Sequence, residues 1–305
     1  LNFMDMDIET TSSTAAVTGA RPAYRSQRKA EQLRAWITLA ILTAGGLIVI
    51  VPFVVMFSVA FDKDAVFEIP FPFRIVPEHV SLDNFYTAIK NINMPRLYWN
   101  TLMIAVGVIS IGTFSALLAG YALSKLNVKG GKIILLVVLA TLMIPSEATL
   151  IPLFMLFKNM HLLNTYWAFY LPAIANIFGT FLAKQFMDGI PGELREAAVI
   201  DGASEFQTFS RIYFALSMPI VATLIILTFL NVWNSFLFPL IMLNDPAKYT
   251  IQIGIAMLRA RTQTGEALPG LNMAATVLSI IPVLLVYLFF QRYIIQSIAH
   301  SGIKQ

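Results

Sequence analysis

A chain of 305 residues that is 57% hydrophobic and 12% charged, with a mean hydropathy of +0.73, is too apolar for a soluble domain and reads as an integral membrane protein. Its net charge of +4 comes from basic residues scattered at the ends of apolar runs, which is a membrane-topology pattern and not a nucleic-acid signature. Without cysteine, disulfides, thiolate metal sites and cysteine nucleophiles are excluded.

Residues 1–24 are polar and small, rich in Thr, Ser and Ala, with no apolar period. Together with Arg25, Arg28, Lys29 and Arg34 they make a tail, residues 1–35, expected to be disordered and cytoplasmic. The first apolar run, Trp36 to Phe61, exceeds the roughly 20 residues that cross a bilayer, and Pro52 can kink it. It is too long and begins too late for a cleavable signal peptide. Residues 62–97 are polar and proline-rich, with a short surface helix expected from Ser81 to Ile89, capped by Ser81. A second span is expected at Tyr98 to Leu123, where Gly107, Gly112, Ala116 and Gly120 permit close helix packing. A basic loop, Ser124 to Lys132, follows.

The third span starts near Ile133 and meets Pro145-Ser146-Glu147 well inside the apolar run. A carboxylate at that depth is a functional-site candidate; the other reading ends the span early, with Glu147 at the interface or within the bundle. Tyr166 to Phe186, containing Pro172, is the fourth span. Leu216 to Leu243 is the fifth and carries Asn231, Trp233, Asn234 and Ser235. Such polar groups either line a water-filled path or hydrogen-bond neighbouring helices. A polar loop covers Asn244 to Gly270, and Leu271 to Ile295 is the sixth span.

Between the fourth and fifth spans lies a charged stretch with Asp188, Glu193, Arg195, Glu196, Asp201, Glu205 and Arg211. Each charge would cost about 2.5–3.5 kcal/mol at a bilayer centre, so this stretch faces water. Pro191 suits a first helical turn, and Glu193 to Ala198 are good helix formers. Gly202 stands where a left-handed residue ends a helix, and Ser204 with Gln207 makes a capping box for the next. Two short helices around a glycine bend form a knob that either docks in a groove of another protein or is an ordinary structured loop. With the N-terminus inside, 13 Lys and Arg fall on the cytoplasmic side and 8 outside, which places both termini and the knob in the cytoplasm.

Glu196-Ala197-Ala198, three residues, Gly202, nine residues and Ile212 together resemble the EAA loop of ABC-importer permeases. Where that family usually has Leu-Pro after the Ile, this chain has Phe214-Ala215. The longer string from Glu196 to Ser204 is similar to the carbohydrate-uptake branch, the permeases like the smaller maltose-transporter subunit. Met143-Ile144-Pro145, Leu163-Asn164-Thr165-Tyr166, Trp233-Asn234-Ser235-Phe236 and Phe290-Gln291-Arg292-Tyr293 extend the likeness over Trp36 to Gln305. The resemblance implies an all-α integral membrane fold of six transmembrane helices, the type I ABC importer permease (MetI-like) fold. Residues 36–305 would form it, with the EAA coupling loop at about 188–215. It also implies a prokaryotic plasma-membrane location, a second permease as heterodimer partner, an ATPase dimer and an extracytoplasmic solute-binding protein. Glu193, Glu196, Ala197, Ala198, Asp201, Gly202, Ala203 and Ser204 would contact the ATPase. The loop Asn244 to Gly270, with Lys248, Arg259 and Arg261, matches the position that probes the binding protein.

No catalytic constellation is visible. His79, His161 and His300 are far apart and read as structural or solvated rather than metal ligands. No phosphate cradle of the Gly-x-x-x-x-Gly-Lys-Ser/Thr type is present, so ATP and magnesium are expected in the partner ATPase and no cofactor in this chain. Asn231, Trp233, Asn234 and Glu147 are the substrate-path candidates, since sugars are held by hydrogen bonds and aromatic faces. The other readings are a permease for a different polar solute such as glycerol phosphate, a self-contained secondary transporter, or a membrane scaffold. A secondary transporter would show intramembrane charge pairs or repeated broken helices.

Overall fold

The computed structural model describes residues 21–65, 75–260 and 268–302. They fold as helices, and the β-pairing among them is a single bridge between Asp62 and Val80. The chain divides after Val55 into two compact units. The first holds the greater part of α1 (Arg21–Phe61). Its side chains Trp36, Ile41, Leu47, Ile48 and Val49 are exposed, as suits a helix dissolved in lipid. The helix begins at Arg21, so residues 21–35 are helical where a disordered tail was expected. The good helix formers Ala30 to Arg34 carry the apolar span's winding backward into the basic stretch. Residues 1–20 lie outside the described residues.

The second unit starts at Met56. It contains α2 (Asp83–Asn91), α3 (Met94–Lys125), α4 (Gly131–Thr141), α5 (Ser146–Asn159), α6 (Trp167–Ala173) and α7 (Ile177–Asp188). These are followed by α8 (Glu193–Ile200), α9 (Glu205–Thr208), a π-helical turn at Phe209–Tyr213 and α10 (Phe214–Leu216). The chain closes with α11 (Met218–Asn234), α12 (Leu237–Met242), α13 (Ile251–Ala260) and α14 (Pro269–Gly302). The surface helix α2 starts two residues after Ser81, whose hydroxyl accepts from the Asp83 N–H at 2.9 Å.

Of the expected six spans, three to five are long and apolar enough among the described residues. Three stretches among the described residues are long and apolar enough to cross a membrane: Glu31–Phe61, Met94–Lys125 and Pro269–Gln291. Two bent pairs, α4 with α5 at 95° and Glu205–Leu216 with α11 at 77°, bring the number to five if each is one span. The expected fourth span is broken. Its pieces α6 and α7 have 7 and 12 residues, about 10 and 18 Å of helix, against a hydrocarbon core of about 30 Å. The breaks have local causes. Pro145 lacks an N–H and disfavours helical backbone at Ile144. Asn176 ends the α6–α7 gap by capping α7, its side-chain oxygen accepting from the Gly179 N–H at 2.8 Å. Ser235 is extended and separates α11 from α12 inside the expected fifth span.

The small residues of α3 seat α7. A Cβ on Gly120 would lie 2.7 Å from the Ala183 Cβ and 2.9 Å from the Lys184 backbone nitrogen, so only glycine lets the two helices approach this closely. One core cluster packs Phe229 and Trp233 of α11 against Leu271, Ala274 and Ala275 of α14. A second gathers Leu117, Tyr121, Met187, Phe209, Tyr213 and Leu224 beneath the α8–α9 turn. The polar loop expected over Asn244 to Gly270 is also corrected. Its middle is α13, which buries Ile251, Ile253 and Leu258.

Candidate functional site

The charged stretch folds into the two expected helices. α8 begins at Glu193, two residues after Pro191. Its end is closed by two bonds: the Ala203 N–H donates to the Ala198 carbonyl at 2.9 Å, and the Gly202 N–H to the Val199 carbonyl at 3.0 Å. This pairing requires a left-handed residue, and Gly202 has φ +82°. Ser204 then caps α9. Its hydroxyl accepts from the Gln207 N–H at 3.3 Å, while the Gln207 side chain accepts from the Ser204 N–H at 2.8 Å. Both local signals in the sequence are realised.

The turn is braced from below. Arg195 on α8 forms a bidentate ion pair with Glu205 on α9, its Nε donating to Oε2 at 3.1 Å and its Nη2 to Oε1. The hydrogen bonds that Arg195 donates to Glu205, helped by that carboxylate's charge, hold its guanidinium above its ordinary value. The Tyr121 hydroxyl of α3 donates to the same Oε2 at 2.7 Å. Lys125 donates to the Ile190 carbonyl at 2.6 Å, and Ser124 and Lys184 bond the two Asp188 carboxylate oxygens at 2.7 and 2.6 Å. The Tyr213 hydroxyl donates to the Pro191 carbonyl at 3.3 Å.

Of the eight expected coupling residues, Ala198 faces inward and is 7% exposed. Glu193, Glu196, Ala197, Asp201, Gly202 and Ser204 are exposed, and Ala203 is half-buried. Ile200 beside them is 85% exposed, and Phe206 is exposed across the turn. The result is a braced protrusion with carboxylates and bare apolar side chains outward. The brace of Tyr121, Arg195 and Glu205 received no role from the sequence. The only signal was opposite charge on the two sides of a glycine bend, and the ten-residue separation of Arg195 and Glu205 has no helical period to mark it.

The substrate-path candidates do not come together. Asn231 lines a cavity of about 430 Å³ between α3, the α6–α7 break and α11, with Asn176 and Thr228 as further polar groups and Leu224, Leu227 and Val232 as apolar wall. Asn176 and Thr228 went unnoticed because each looks like an isolated polar residue in an apolar run. Trp233 is 2% exposed and points into the core, its Nε1 donating to the Ser279 carbonyl at 3.0 Å and its ring stacked on Phe229. Asn234 is exposed and its amide donates back to the Leu230 carbonyl at 2.9 Å. Glu147 sits in the first turn of α5, exposed, on a separate groove with Ser146, Thr149 and Ser235. In the 244–250 segment, Lys248 donates to the Asn164 carbonyl at 2.7 Å. The Arg259 side chain and Arg261 lie outside the described residues.

The profile of the binding-protein-dependent transport system inner membrane component matches residues 109–300, from within α3 through the braced turn to α14. The chain belongs to this family. The permease is 37% identical over 232 residues to the arabinooligosaccharides transport system permease protein AraQ of Halalkalibacterium halodurans, covering 75% of this chain and 81% of that relative. It is 32% identical over 270 residues to the trehalose/maltose transport system permease protein MalG of Thermococcus litoralis, covering 87% and 94%. The crystal structure of a bacterial ABC transporter that imports the acidic polysaccharide alginate contains a chain with the same fold. The TM-score is 0.75 at 21% identity, covering 87% of this permease and 97% of that chain.

Proposed function

We propose that this permease is one transmembrane subunit of an ATP-driven, binding-protein-dependent sugar importer. It pairs with a second permease, an ATPase dimer and an extracytoplasmic solute-binding protein. Both termini are cytoplasmic, and with the broken segment α6–α7 counted as a span the bundle has six. ATP and magnesium belong to the partner ATPase. The reading of sugar as solute is supported by relatives such as AraQ and MalG at 37% and 32% identity.

The observation that carries the coupling role is the braced α8–α9 turn, a charged projection between apolar helices. Closure of the ATPase would press on its outward side, where Glu196 meets basic groups and Ala197 allows close approach. The brace passes the load inward instead of letting the turn flex. The test is uptake of labelled arabino-, malto- and chito-oligosaccharides by cells expressing Glu196→Lys or Gly202→Asp. Both variants should insert at the parent level and lose uptake. Normal uptake by both at matched expression would sink the coupling role.

A further inference from the structure

We propose that α3 is a strut that carries movement of the α8–α9 turn to the segment 244–250 at its other end. Tyr121 and Glu205 are the positioning residues at the first end, and Arg96 and Asn100 at the second. The inference rests on the coupling role proposed above.

α3 runs for 32 residues with its one proline in the first turn, which makes an unbroken helix of about 48 Å. Its neighbours are poor transmitters: α4–α5 bends by 95°, α10–α11 by 77°, and α14 carries Pro282 in its interior. At its C-terminal end, α3 reaches the turn through the Tyr121 hydroxyl. The Glu205 carboxylate that accepts this bond also holds Arg195, so one point on α3 grips both short helices. Tyr121 is 3% exposed, and its ring packs on Phe209 at 5.5 Å and Tyr213 at 5.0 Å, so the hydroxyl has a fixed position. At the N-terminal end, Arg96 Nε donates to the Ala247 carbonyl at 2.9 Å. The Asn100 amide donates to the Ala247 and Tyr249 carbonyls at 2.9 and 3.0 Å, and the Thr101 hydroxyl accepts from the Ile251 N–H at 2.9 Å. A helix hydrogen-bonded to a loop at each end, and unable to shorten between them, moves both loops together.

The chain has no cysteine, so Asn244→Cys, an exposed position beside the far anchor, adds a single reporter. The complex is purified with its ATPase, ATP with vanadate traps the closed ATPase, and the rate of maleimide labelling of this chain is compared before and after. In the parent, trapping should change the rate by about fivefold or more. Tyr121→Phe keeps the ring packing and removes the bond; Asn100→Ala, which releases the Ala247 and Tyr249 carbonyls at the other end, serves if the first variant does not fold. In each, the ATPase should stay bound and trap vanadate while the labelling change falls below about twofold. A merely structural brace would lower trapping and response together, and that result overturns the strut. A parent that shows no change at Asn244→Cys, or variants that keep the full change, also overturn it. Failure of the parent to co-purify with any ATPase would instead remove the coupling role on which the strut depends.

Discussion

Replacing Gly202 by alanine should open the end of α8 without touching anything else. No atom lies within 4 Å of where the new Cβ would stand, so there is no clash to relieve. What remains is the backbone: φ is +82°, and a left-handed conformation costs an L-residue about 1–2 kcal/mol. That strain falls on the bonds Gly202 N–H to Val199 and Ala203 N–H to Ala198. The population with this turn open should rise about 5–30-fold. Hydrogen exchange of the Gly202-position and Ala203 amides in the purified protein should quicken by that factor. Gly192→Ala is the control. It too has open space, but its φ is −70°, so alanine should leave exchange unchanged or slow it by tightening the unfolded chain. Equal exchange in the two variants would refute the assignment of the cost to the left-handed backbone.

Ser204→Ala removes the cap of α9 and should cost about 1 kcal/mol locally, read as faster exchange at Gln207. Gly120→Val forces α3 and α7 apart at a contact where even a Cβ is too close, and should destabilise by about 1–3 kcal/mol, measured as a lower Tm in detergent. Gly45→Ala, with nothing within 4 Å, should not lower it. Trp233→Ala should cost about 3–5 kcal/mol, because it empties a core site and removes the bond to the Ser279 carbonyl. Asn231→Ala, at an exposed position on the cavity wall, should stay within about 0.5 kcal/mol of the parent and alter only the uptake KM.

Legibility in the sequence follows the range of the interaction. The end of α8 and the start of α9 depend on residues within four or five positions, so Gly202, Ser204 and Gln207 announced them. The ends of α3 were also readable, since its apolar run lies between Arg96 and Lys125. The interior breaks were harder. Pro145 marked the α4–α5 bend, but the α6–α7 break turns on Asn176, whose cap looks like any polar residue in a bundle. α13 was missed because ten residues of mixed polarity between polar flanks have no membrane signature; their burial depends on α3, 150 positions away at the Thr101–Ile251 bond. Trp233 was placed on a sugar path by its chemistry, and the choice between cavity and core was decided by Ser279, 46 positions downstream.

The π-helical turn at Phe209–Tyr213 means that this part of the chain is measured with two rulers. Helices on either side repeat every 3.6 residues, whereas the π turn winds in an extra residue. A pattern read with one period slips by about 100° on crossing it. A homologous chain lacking that residue could keep the same wall only by re-phasing every inward position from Phe214 onward, so a one-residue deletion here is a change of face and not a shortening.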